Sequence, residues 1–211
     1  MKKVILLSIF VPLMAQSQTV HRSESGLDHI TSGVKPGDIV ITEIMADPVP
    51  AAGLPSEEYL EILNRSENKV DLSGWKLMSG DQNSFFPGIN LEPGEYLIVC
   101  AVSDTTLFKG FGRVAGLRPF PALTDKGKII VLCDDRGNLI NGVEYSSAWY
   151  GTALKSNGGW SLEIIDINFP FFGEGNWEAS SAREGGTPGY MNSASRPNPD
   201  NEFAGITNIF P

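Results

Sequence analysis

Carboxylates are the one chemically versatile side-chain type that this chain supplies in quantity. Glu43, Asp47, Glu57, Glu58 and Glu61 fall on two early strand-like segments and the loop joining them. Oxygen donors of this kind suit a hard cation, and Glu43, Asp47, Glu58 and Glu61 form a candidate Ca²⁺ set. They lack the tight D-x-D-x-D periodicity of a loop site, so solvated strand faces and turn caps are the plainer expectation. Two carboxylates could also flank a glycosidic bond. Any acidic chain offers such pairs, and a hydrolase built on Glu43, Glu58 or Glu61 rests on no more than that. No other cofactor is expected.

A second set is aromatic. Trp149, Tyr150, Phe171, Phe172 and Trp177 cluster in the C-terminal third. Flat faces at a loop end could stack on sugars or grip a protein; the alternative is that they pack the core and pin the C-terminal segment. Cys100 and Cys133 each end an apolar strand-like run. They could be bridged if those strands are neighbours, or they could be two buried thiols. The only histidines, His21 and His29, precede the expected domain. A Ser-His-Asp triad, a Cys-His pair and a His-based zinc site are therefore disfavoured on supply. Gly110-Phe111-Gly112-Arg113-Val114-Ala115-Gly116 misses the dinucleotide-binding spacing and reads as a plain loop.

The elements that must position these residues follow from the chain's punctuation. Met1-Lys2-Lys3, the apolar run Val4–Ala15 and the small residues Ala15 and Ser17 read as a secretory signal over residues 1–17. The run is too short to span a bilayer about 30 Å thick. Residues 18–37 form a polar leader, residues 38–193 the domain, and residues 194–211 a linker and tail. The formal net charge is −9, and cleavage would remove Lys2 and Lys3 and leave the chain more acidic still. A broad grip on nucleic-acid phosphates is disfavoured. Export places the protein in the periplasm, on the outer surface or outside the cell.

The chain holds 23 glycines and 14 prolines, above the usual shares of about 7% and 5%, so turns are frequent. Strand-like segments recur at Asp38–Met45, Glu58–Asn64, Gly74–Ser79, Glu95–Ala101, Lys128–Cys133, Leu139–Tyr145 and Trp160–Ile165. Several alternate, as in Tyr59, Glu61 and Leu63 against Leu60 and Ile62, which suits strands with one wet face. No stretch sustains a 3.6-residue period. The expectation is an all-β, antiparallel sandwich or barrel.

Three ordered stretches resemble the lamin tail domain family, in the branch found in secreted proteins of Bacteroidetes-type bacteria. The first joins Ile41-Thr42-Glu43-Ile44-Met45, Glu58-Tyr59-Leu60-Glu61-Ile62-Leu63-Asn64 and Asp71-Leu72-Ser73-Gly74-Trp75-Lys76-Leu77. The second is Leu91-Glu92-Pro93-Gly94-Glu95-Tyr96-Leu97-Ile98-Val99. The third joins Gly158-Gly159-Trp160-Ser161-Leu162-Glu163, Asn176-Trp177 and Gly185-Gly186-Thr187-Pro188-Gly189. Phe171-Phe172 stands where bacterial members commonly carry Pro-Cys.

The resemblance implies an immunoglobulin-like β-sandwich and a non-catalytic module. Asn64, Gly74, Trp75, Trp160, Gly186 and Pro188 then have structural roles: Asn64 satisfies a turn, Gly74 lets Trp75 turn inward, and the Gly186–Pro188 bend closes the chain over the core. The expected function is binding or scaffolding at the cell surface, with an envelope or extracellular protein or a glycan as partner. The alternative is a carbohydrate-binding accessory module that uses the exposed aromatics.

Overall fold

The computed structural model describes residues 33–198. The expected signal segment, most of the leader with both histidines, and the tail beyond Asn198 lie outside the described residues. Twelve strands follow in order: β1 (Ile39–Met45), β2 (Tyr59–Asn64), β3 (Val70–Asp71), β4 (Lys76–Ser79), β5 (Gln82–Phe85), β6 (Asn90–Leu91), β7 (Tyr96–Ala101), β8 (Val114–Leu117), β9 (Gly127–Cys133), β10 (Leu139–Ser146), β11 (Leu162–Ile164) and β12 (Trp177–Ala179). One short helix, α1 (Thr105–Phe108), and two 3-10 turns interrupt them.

The strands form a six-stranded sheet in the order β12-β11-β1-β2-β7-β8, a four-stranded sheet in the order β10-β9-β4-β5, and the small pair β3-β6. Leu60, Ile62, Leu97 and Val99 of the larger sheet share one core with Leu77, Ile130, Leu132 and Ile140 of the smaller. This is the expected all-β, immunoglobulin-like sandwich. Each of the seven expected strand segments carries a strand. Strands β3, β5, β6, β8 and β12, each two to four residues long, were not expected from the sequence. Strand β8 begins within the stretch read as a loop, and it pairs parallel to β7.

The wet face expected on β2 is the main correction. Strands β1 and β2 are buried at every position, as strands covered on both faces must be. Leu60 and Ile62 enter the inter-sheet core, while Tyr59 joins Met45, Leu54, Ile98, Cys100 and Phe108 in a second apolar cluster. The Tyr59 and Phe108 rings lie 5.2 Å apart, so α1 roofs this part of the outer face. Chain after β12 covers the rest.

The two cysteines are not bridged. Both are free and buried, Cys100 on β7 of the larger sheet and Cys133 on β9 of the smaller. Cys100 belongs to the cluster under α1, and Cys133 Sγ lies 3.9 Å from Met78 Sδ. Burial pushes the Cys100 thiol up to about 12, which keeps it protonated and inert. A thermal unfolding midpoint unchanged by dithiothreitol is expected, with two thiols per chain titrating with Ellman's reagent once guanidinium opens the fold. A midpoint lowered by reductant would contradict the two free thiols.

Candidate functional site

The outer face of the larger sheet carries three buried glutamates in one row, which the partly exposed Glu178 of β12 extends at one end. Antiparallel register sets Glu43 of β1 opposite Glu61 of β2 on one side and Glu163 of β11 on the other. Directly opposed residues of an antiparallel pair share a face, and like charges placed there repel. All three are fully buried. Taking a carboxylate out of water costs several kcal/mol unless donors replace the solvent.

The donors come from the strand neighbours and from the segment after β12. Glu43 Oε1 accepts from Tyr59 Oη at 2.7 Å, Ser161 Oγ at 2.6 Å and the Thr187 amide at 2.9 Å. Glu61 accepts from Thr42 Oγ1 at 2.8 Å and the Gly189 amide at 2.5 Å. Glu163 accepts from Thr187 Oγ1 at 2.9 Å, Ser193 Oγ at 2.7 Å and the Ala194 amide at 2.8 Å. Residues 185–194 thus form a strap laid across the row. Beyond it, Arg196 pairs through both guanidinium nitrogens with Glu178 of β12.

Local sequence explains how the strap lies so close. A bulge between Ile41 and Glu43 takes Thr42 out of the ladder, and Asn192 of the strap donates to the Thr42 carbonyl at 2.8 Å and the Ile164 carbonyl at 3.0 Å. A Cβ on Gly186 would collide with Glu43 Oε1 and stand 2.6 Å from Tyr59 Oη. Only glycine lets the backbone reach the carboxylate there. Pro188 is buried beside it.

Burial dominates the electrostatics. Desolvation, followed by the Glu163 charge, raises Glu43 to about 7, against the lowering effect of its three donors. Glu61 is raised well above the usual carboxylate range by burial and then by Glu43. Burial and the Glu43 charge hold the Tyr59 hydroxyl protonated. Glu43 Oε2 is buried and has no hydrogen-bond partner. The row fastens the strap from beneath, and the strap closes it off from substrate.

The candidate Ca²⁺ set is not brought together. Glu43 and Glu61 lie under the strap, whereas Asp47 and Glu58 line a cleft at one end of the sandwich. Among the described residues, no group of three or more His, Cys, Asp or Glu is placed to hold a metal ion. The cleft encloses about 470 Å³ and is lined by Asp47, Glu57, Glu58, Asp104 and Asp125 with Val49 at its margin. Glu58 accepts from the Leu123 amide at 3.1 Å, and half-burial with Asp125 and Glu57 nearby raises its carboxyl. The cleft is acidic, open and chemically suited to cationic groups.

The aromatic set also separates. Tyr150 and Trp177 are buried in the main core, and Trp149 stacks on Trp177 at 6.3 Å between ring centroids. Phe172 packs edge-on against Phe169, and only Phe171 of the five is exposed. Trp75 is buried, with Gly74 before it at φ +75°. Lys155 Nζ sits 4.9 Å over the Trp160 ring. Asn64 donates to the Asn68 and Leu91 carbonyls and accepts from the Ser66 amide, which ties down the turn after β2. Glu163 and Asn192 were missed. The available signal for Glu163 was a charge inside an otherwise apolar strand; Asn192 had none, because it sits in linker-like composition.

Two substitutions test the strap. Gly186→Ala forces strap and carboxylate apart and is expected to lower stability by about 1–3 kcal/mol. Asn192→Ala strands two buried carbonyls and is expected to cost about 1–3 kcal/mol. Urea midpoints check both. Wild-type midpoints would mean the strap contributes nothing to the fold.

Among the described residues, no helix is long and apolar enough to cross a membrane. No curated protein matches the chain. The family model of the Lamin Tail Domain matches residues 34–147, which takes in Glu43 and Glu61 but ends before Glu163 and the strap. With that match running through both sheets of the sandwich, the chain belongs to the lamin tail domain family.

Proposed function

We propose that this protein is an exported, non-catalytic module that binds a protein or another envelope component at the cell surface. The observation that carries this reading is where the reactive residue types go. The three glutamates on the outer sheet face hold the strap. The thiols are buried and free. Trp149, Tyr150 and Trp177 pack within the sandwich. Family membership supports a non-enzymatic immunoglobulin-like module.

What is left for recognition is surface. The acidic cleft would draw lysine and arginine side chains of a protein partner, and charges at such a rim chiefly raise association rates. Phe171 is the residue of the aromatic set left to a glycan-stacking reading.

The test is affinity capture with the chain lacking residues 1–17, against envelope proteins and polysaccharides of the source organism, with and without calcium. The expected result is a saturable protein partner whose binding weakens with salt and with the double change Glu57→Gln and Asp125→Asn, by about 30-fold for two lost ion pairs of about 1 kcal/mol each. A glycan partner lost on Phe171→Ala would favour the carbohydrate reading instead. Capture of nothing by folded protein would overturn autonomous binding.

A further inference from the structure

Three carboxylates stand side by side under the strap, and no lysine or arginine is paired with any of them among the described residues. The donors that reach them are hydroxyls and backbone amides, which carry no charge. Glu43 is the middle member, and its donors all converge on Oε1. Its Oε2 is buried without a partner. An ionised Glu43 would leave a negatively charged oxygen with nothing to solvate it, between two further carboxylates. A neutral Glu43 removes that charge, and a buried neutral oxygen costs far less than a buried anionic one.

We propose that the strap is a proton-closed clasp: Glu43 must hold a proton for residues 185–194 to stay seated on the sheet, and its ionisation releases them. The groups that face the row are known from each side. Strand β2 brings Glu61 and Tyr59, and β11 brings Glu163. Tyr96 of β7 feels Glu61. On β12, Glu178 stands opposite Glu163 but is engaged by Arg196. Just before the strap, Arg183 and Glu184 form no ion pair among the described residues. No cation therefore replaces the proton.

The direction follows from linkage. Glu43 is raised from 4.5 to about 7 with the strap closed and returns toward its ordinary range when water enters. Closure is strongest below the ordinary carboxylate range, weakens through pH 5–7, and has lost this contribution above about 7. Opening would uncover the outer face of β1, β2 and β11, a surface absent from the closed form. Unlike the proposed partner binding, this clasp needs no second molecule.

Amide hydrogen exchange on the whole chain tests it, with rates corrected for intrinsic base catalysis and with the amides of β9 and β10 as internal reference. Between pH 5 and pH 8.5, protection of the Thr187, Gly189 and Ala194 amides should fall relative to that reference by on the order of a hundredfold. Glu43→Gln should lose the fall at Thr187, whose amide donates to Glu43 itself, while the Gly189 amide, held by Glu61, keeps part of its own. Should that variant not fold, Ser161→Ala removes one donor from Glu43 Oε1 and should move the transition to higher pH. Strap protection that tracks the reference across the range would overturn the clasp, as would an unaltered transition in Glu43→Gln.

Discussion

Burial of the carboxylate row is the constraint around which this domain is arranged. An antiparallel ladder that places Glu43 between Glu61 and Glu163 creates repulsion and desolvation together. Strand neighbours Thr42, Tyr59 and Ser161 supply part of the answer, and they come with the sheet. The backbone amides of Thr187, Gly189 and Ala194 supply the rest, and they arrive only when the chain after β12 folds back. The row and the strap therefore need each other. The strands that carry and cover the row thus extend past the segment matched by the family model, into β11, β12 and the strap.

The same logic of satisfying buried polar atoms recurs with asparagine. Asn141 accepts from the Ile41 amide of the larger sheet and donates to the Pro170 carbonyl, which links β10 to β1 and to the loop before β12. Asn176 closes that loop by accepting from the Asp166 amide and donating to the Asp166 and Phe169 carbonyls. Asn192 covers the Thr42 carbonyl at the β1 bulge and the Ile164 carbonyl at the end of β11. An amide side chain can give and take at once without bringing charge into the interior. A row already crowded with carboxylates leaves little room for any other kind of fastener.

Most residues that looked reactive in one dimension are used for packing in three. Tyr150 and Trp177 fill the main core, Tyr59 and Cys100 the smaller one beneath α1. Glu43 and Glu61 exchange water for amides and hydroxyls. The surface left over includes an open acidic cleft and exposed apolar side chains such as Phe171.

The strand plan was legible because it depends on local pattern. The segment Tyr59–Asn64 announces its pleat by alternation, Leu72-Ser73-Gly74-Trp75 announces a turn into a buried tryptophan, and the ordered motifs point to the sandwich. Sequence by itself thus determined the fold class, the seven principal strands and the chain's acidity. It could not decide which face of a strand meets water. That depends on what folds over the face, and the cover for Glu61 comes from residues more than a hundred positions downstream. Nor could it decide whether Cys100 and Cys133 meet, since that turns on strand order. Register and long-range closure are tertiary properties, and they turned carboxylates that looked like a wet surface into the buried fastening of the fold.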